Sequence, residues 1–385
     1  MKRVLTFSLI LLLAKFAFGQ SVAAINFNYW YDPLSDVELQ IRPVRTADKI
    51  MVRYTLVARS GSQDKYIISW EARNSYVDQD EIPIREKDSV LHVNEKTRRG
   101  FLVLDVPDKP WLLLGKVSNG SKTWFFFKQI ESIYPVDGWI ETSDGVITEN
   151  HLSKNKEYIA RSADNKQLVV SYYKTTFPPA LPPAAEKEGR NERILFQDSL
   201  FYLKSGEKFL PKREGLYLFQ EDTSAARGFS YRVVKENFPK FSKIDELIAP
   251  LRFVTDDNEY SELVNSKGEK SKFDKVILNI TGDKDRAKTF MRDYFRRIEI
   301  ANIYFSSYKE GWKTDRGMIY VIFGPPADVS RNSGNEIWNY KNYNVKFTFI
   351  RSGSVYDPEN YVLYRDENFN EPWLNLVDLW RKGRF

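Results

Sequence analysis

From about residue 24 to residue 238 the apolar residues of this chain recur at every second position in short runs, and beyond about 240 they recur at every third or fourth. A period of two is that of a strand with one face buried, and a period near 3.6 that of an amphipathic helix. The chain is therefore expected to be β-rich first and helical later. Runs at 49–58, 65–73, 99–106 and 123–130 are separated by the turn sequences SGSQD (60–64), PDKP (107–110) and SNGS (118–121). Such spacings fold antiparallel strands into two packed sheets, so an Ig-like β-sandwich is expected over 20–140. Further runs at 166–177, 193–203, 214–222 and 227–235 predict a second sandwich over 141–240. The Pro-rich stretch 177–190 reads as a loop leaving one sheet edge, where prolines deny donors to any pairing strand, with an interdomain linker as the alternative.

Past 240, Ser242 and Asp245 stand in a capping-box arrangement before Ile244, Leu247, Ile248 and Leu251, which share one helical face, and Pro250 shortens that helix. Short helices over 258–265 and 271–280 follow. The longest helix is expected over 283–310, with Ala287, Phe290, Met291, Tyr294, Phe295, Ile298, Ala301 and Phe305 on its apolar face and Gly311 as its C-cap. MIYVIF (318–323), EIWNY (336–340), VKFTFI (345–350) and YVLYR (361–365) read as four strands of a small antiparallel sheet, and 372–383 as a closing helix opened by Pro372. The fold class is mainly β followed by an α+β domain over 241–385.

The first nineteen residues have a signal-peptide layout: Lys2 and Arg3, an apolar run from Val4 to Ala14, and Ala17 and Gly19 at the −3 and −1 positions of a cleavage before Gln20. The run is too short to span a bilayer and is interrupted by Lys15, and no second long apolar stretch occurs. A periplasmic or secreted product without a transmembrane segment is expected. With 58 basic and 52 acidic residues, loss of Lys2, Arg3 and Lys15 leaves 55 against 52, no electrostatic footprint for nucleic acid. The chain has no Cys, which excludes disulfides, thiolate metal sites and a lipidated N-terminal Cys. Its two histidines, His92 and His151, form no metal or triad spacing. The acidic runs DQDE (78–81) and DDNE (256–259) lack the ligand alternation of a calcium loop.

The densest group of special residues is GWKTDRGMIYVIFGPP at 311–326. With the EIWNY that follows, it resembles the GWxTD-domain proteins of Bacteroidetes-type cell envelopes, a family of undefined activity. Gly311, Trp312, Thr314, Asp315, Arg316, Gly317, Gly324, Pro325, Glu336, Trp338 and Tyr340 carry the resemblance, which implies an envelope location and transfers no catalytic residue. Read from the residues, Thr314 and Asp315 bond turn amides, Gly317 relieves a special backbone angle, Trp312 covers the end of the core, and Asp315 pairs with Arg316. Pro325 and Pro326 shape a strand-to-helix turn; FGPPADV lacks the Gly spacing and Lys of a phosphate loop.

Two functional expectations follow. The first is a non-enzymatic binding or scaffolding protein, with envelope proteins, glycan or peptide as partners and with no metal or cofactor. The alternative is a hydrolase of envelope glycan or peptide, with Asp315 and Glu336 as its carboxylates, Arg316 as an anion clamp and the loop 324–328 as the wall of its site.

Overall fold

A computed structural model describes residues 20–384 apart from 47, 86–87, 107, 132–136, 144, 175 and 186–194. The signal-peptide residues and part of the Pro-rich stretch lie outside the described residues. The alternating segments form strands β1 (Val37–Arg45), β2 (Lys49–Ala58), β3 (Ile67–Arg73), β4 (Ile82–Pro83), β5 (Ser89–Val93), β6 (Thr97–Asp105), β7 (Trp111–Ser118) and β8 (Thr123–Ile130). They make two antiparallel sheets, ordered β1-β2-β6-β5 and β4-β3-β7-β8. Between the sheets, Leu39, Val52, Leu56 and Leu102 meet Trp70, Leu113, Val117 and Trp124 in one buried core. Alternation produced this sandwich because each strand has one face on that core.

A second sandwich comprises β9 (Gly138–Thr142), β10 (Gly145–Val146), β11 (His151–Ser153), β12 (Tyr158–Ser162), β13 (Leu168–Tyr173), β14 (Ser199–Leu203), β15 (Glu207–Phe209), β16 (Gly215–Gln220) and β17 (Phe229–Val234). Its sheets are ordered β10-β9-β12-β15 and β11-β17-β16-β13-β14, around Ile140, Ala160, Val170, Phe219, Phe229 and Tyr231. Adjacent strands β13 and β14 flank the Pro-rich stretch, which crosses to the last domain: the Ala180 amide donates to the Lys313 carbonyl at 2.9 Å.

The C-terminal part contains α1 (Ile244–Ile248), α2 (Asp257–Asn265), α3 (Lys270–Thr281), α4 (Lys284–Phe305), α5 (Asp315–Phe323) and α6 (Asn370–Arg381). Its sheet is β18 (Asp328–Asn332), β19 (Asn335–Tyr340), β20 (Val345–Arg351) and β21 (Tyr361–Leu363), antiparallel in that order. Mainly β, with two sandwiches and then an α+β domain, is the fold class observed.

Several local expectations change. MIYVIF is helix, the body of α5, and not strand. Residues 317–323 are all buried, so no polar side marks a helical period, and a fully buried apolar run of that length reads equally as strand. Its place in the sheet is taken by β18. Pro325 and Pro326 consequently lie in a helix-to-strand turn. The long helix stops at Phe305, six residues before Gly311, with Ser306 extended. At α1 the side chain of Glu246, and not the Ser242–Asp245 pair, reaches back to the amides of Ser242 (2.9 Å) and Lys243 (3.3 Å). The run DDNE is a capping box: Asp256 and Glu259 exchange side-chain and amide contacts at 2.8 and 2.9 Å, and Arg381 holds Glu259.

The N-terminal segment, read with the first sandwich, buries Val22, Ile25, Phe27 and Tyr31 in the C-terminal core instead. That core also takes in Tyr76, Leu112, Leu114 and Phe127 from the outer side of the β4-β3-β7-β8 sheet. The last domain is thereby built onto the first.

Candidate functional site

The corner from α4 to α5 is set by two glycines and a threonine. A Cβ on Gly311 would lie 2.0 Å from the Ala301 carbonyl oxygen, and one on Gly317 would lie 1.8 Å from the Gly311 carbonyl oxygen. Close backbone approach is thus what both positions require; neither has the left-handed angle that a C-cap or strained turn would demand. Thr314 caps α5: its hydroxyl accepts from the Gly317 amide at 3.0 Å and donates to the Gly311 carbonyl at 2.7 Å. Trp312 is buried, its ring edge-on to Phe253. Gly324 ends α5 at φ 83°, and its carbonyl accepts from the Tyr340 hydroxyl at 2.7 Å. Pro325 stands exposed and joins none of the others.

Asp315 and Arg316 point to different neighbours and do not pair with each other. Asp315 accepts from the Leu363 amide at 2.9 Å and from Arg365 at 2.7 Å, tying α5 to β21. Arg316 turns towards Glu336 on β19. The Glu336 carboxylate is wholly buried and accepts from Tyr31 Oη at 2.7 Å, Trp338 Nε1 at 2.6 Å and Arg316 Nη1 at 3.4 Å, besides an ion pair with Arg331. Arg331 lies 4.2 Å from the Trp30 ring centroid and Arg316 4.4 Å from that of Tyr361. Burial pushes the Tyr31 phenol up, and the Glu336 charge adds to the rise. The Arg331 guanidinium is raised as well, because Glu336 and its other neighbours outweigh desolvation.

This cluster forms one wall of a cleft of about 410 Å³ between the first sandwich and the last domain. Tyr29, Trp30, Phe126, Tyr304 and Tyr361 supply aromatic surface, and Arg42, Arg45, Lys128, Arg351, Glu131 and Glu359 supply charge. Lys128 pairs with Glu359 and Arg351 with Glu131, each bridging the two domains. Desolvation opposes ionisation of Glu359, but Lys128, Arg351 and Arg331 hold its carboxyl down at about 2. Asp357 beside it is raised by burial, with Ser307 and Arg316 pulling the other way.

Residues 215–382 match the family model described as GWxTD domain. The chain carries a GWxTD domain. The match begins at β16, so it takes in the last two strands of the second sandwich as well as everything from α1 to α6. No curated protein matches the chain. Among solved structures, it is similar to the "Crystal structure of DIP-gamma IG1+IG2" at 12% identity, covering 52% of this chain and 96% of that one with a TM-score of 0.18, a likeness too slight to bear on the GWxTD domain or the cleft.

Of the motif residues, Arg316, Glu336 and Trp338 come together, Arg316 lining the cleft and the other two buried behind it, whereas Gly311, Thr314 and Gly317 build the corner between α4 and α5. Sequence reasoning missed Tyr31 and Arg331, which complete the Glu336 cluster from 305 and 5 positions away. The crowding of aromatics in NYWY (28–31) was the available signal for the first. Nothing local singles out the second.

Proposed function

We propose that this is an exported, non-enzymatic binding or scaffolding protein of the cell envelope, with the cleft between the first sandwich and the GWxTD domain as the seat of its partner. The observation that supports it most is the cleft: a concavity of about 410 Å³ with an aromatic wall and a charged rim is the kind of surface that takes a peptide or a glycan. Glu336 is wholly buried under four donors and Asp315 is held by the Leu363 amide and Arg365, which weighs against the hydrolase alternative. Export rests on the basic and then apolar N-terminus; among the described residues no helix is long and apolar enough to cross a membrane.

Ile303 lines the cleft and is 56% exposed, whereas Leu374 is 54% exposed on α6 and lies outside it. A photo-cross-linking residue at 303 in intact cells is expected to capture an envelope protein or glycan that the same residue at 374 does not. Equal capture at both positions counts against the cleft. Hydrolysis of glycan strands or peptides by the purified chain, abolished by Glu336→Gln with the fold retained, would replace the binding role with the enzymatic one.

A further inference from the structure

Strands β13 and β14 are neighbours, with Tyr172 paired to Ser199, so a turn of about two to five residues would close them. The chain instead runs out through residues 174–198, whose described part contains neither strand nor helix. Loops much longer than about 15 residues are uncommon in compact domains and are usually either functional or disordered. This one is held down, from Phe177 to Pro183, on the GWxTD domain.

The segment FPPALPPAA (177–185) is dominated by Pro178, Pro179, Pro182 and Pro183, which lack amides, fix their own φ and push the residue before each of them towards an extended conformation. Such a sequence favours the polyproline II helix, which repeats every three residues and leaves its carbonyls free to accept. The contacts follow that repeat. Phe177 is 4% exposed, and its ring stands edge-on to that of Tyr308 with centroids 4.8 Å apart. Ala180 packs on the core of the GWxTD domain, and its amide donates to the Lys313 carbonyl. Pro183 is buried, and its carbonyl accepts from the Asp366 amide at 3.3 Å. Pro178 and Pro182, on the other rows, are exposed. Between the anchors, Arg365 Nη2 donates to the Leu181 carbonyl at 3.3 Å.

The receiving surface is built by the GWKTD corner. Lys313 gives its backbone carbonyl from the middle of the motif. Asp315 accepts from the same Arg365 nitrogen at 2.7 Å and so aims it at the segment. We propose that this corner is a receptor for extended proline-rich segments, filled in cis by 177–185, and that a proline-rich segment of a partner protein, with an aromatic residue in the place of Phe177, competes for it. The seated segment shows the chemistry of the ligand: one ring, small or apolar residues at every third position, and carbonyls between them. Because the corner reads mostly backbone, another segment of the same spacing fits without matching the exposed side chains. A second copy of the chain gains little there, since it gives up in its own corner the contacts it makes in its neighbour's. Tyr308, Lys313, Arg365 and Asp366 do not line the cleft, and the receptor does not depend on the role proposed for the cleft.

The test is fluorescence anisotropy of the labelled peptide TFPPALPPAA (176–185) with the chain from Gln20 onward, either the parent or a variant with 178–183 replaced by Gly and Ser. Saturable one-to-one binding to the variant is expected, and at least tenfold weaker binding to the parent, whose own segment competes. Adding Arg365→Gln to the variant should weaken binding at least tenfold, and so should Phe177→Ala or alanine for the four prolines in the peptide. If the variant does not fold, Phe177→Ala in the parent chain loosens the segment and takes its place. No binding to a folded loosened chain, equal binding to parent and variant, or binding indifferent to Arg365→Gln overturns the proposal. Dimers of the parent in sedimentation that vanish in the variant would assign the corner to a second copy and overturn the assignment to a partner.

Discussion

Each outer face of the first sandwich meets buried arginines, its own or a neighbouring domain's, and the two faces treat them in opposite ways. Against the β4-β3-β7-β8 sheet, Arg331 lies 5.4 Å from the Phe127 ring and shares the Glu336 carboxylate with Arg316, Tyr31 and Trp338. Against the β1-β2-β6-β5 sheet, Arg42 rests on the Tyr231 ring and the Glu149 carbonyl and Arg53 on the Trp139 ring, and among the described residues neither bonds a carboxylate. In the first arrangement the charges are balanced by a carboxylate of the chain itself. In the second, the charge acting on Arg53 is that of Glu141, which opposes the lowering of its pKa by burial without outweighing it.

Removing the shared carboxylate should break the balanced face most severely. Glu336→Gln leaves Arg316 and Arg331 buried beside each other without the carboxylate they share, only the more distant Glu359 charge still acting on Arg331, and a loss on the order of 3–5 kcal/mol in chemical unfolding is expected. Replacing Glu336, Arg316 and Arg331 together by apolar residues of similar volume should be milder than that single change. A loss under about 1 kcal/mol for Glu336→Gln would mean that solvent reaches the cluster and that the contrast between the faces is false.

Asp315→Asn probes a smaller balanced pair, since Asp315 and Arg365 are 11% and 8% exposed. The amide contact to Leu363 survives and the charge does not, so a loss of about 1–3 kcal/mol is expected. Thermal melting unchanged, with cellular function lost, would assign Asp315 a ligand instead of β21.

What the residues disclosed in advance follows the same division between local and distant causes. Strands such as β2 and β8 were legible because the residues of one face of each enter an apolar core, which prints a period of two into the sequence. Helix α5 was not, because burial on every side removes the period. Thr314 was legible as the acceptor of a nearby amide, though not as a helix cap, because its partner is three residues away, whereas Gly311 was misread because its reason is the Ala301 carbonyl against which it packs. Glu336 gains its meaning from Tyr31 at the other end of the chain, and no spacing rule connects positions so far apart.

Asp137 lies between the two cases: it is 5% exposed, and its counter-charge Arg227 is 3.7 Å away. Burial lifts its carboxyl from an ordinary 3.8 to about 6, against Arg227 and with the help of Glu221 and Asp164. Between those values the folded chain keeps a proton that the unfolded chain has lost, so stability falls as pH rises through the window, and the full penalty stands above about 6. Asp137→Asn should therefore match the parent near pH 3.5 and exceed it by on the order of 1–2 kcal/mol at pH 7.5. Denaturant titrations at the two pH values check this, and an equal difference at both would show the pairing with Arg227 to be complete.

The smallest effect is the one that distinguishes the faces best. In chloride alone, Arg53→Gln removes a buried charge that bonds no carboxylate among the described residues, losing the stacking on Trp139 but also the repulsion from Arg42. These terms oppose each other, with a cation–π contact of about 0.5–2 kcal/mol against a desolvation penalty of similar or larger size, so the change in unfolding free energy should lie within about 1 kcal/mol of zero. A loss of several kcal/mol in chloride, as large as that of Glu336→Gln, would mean that Arg53 has its counter-charge inside the fold and that both outer faces are balanced.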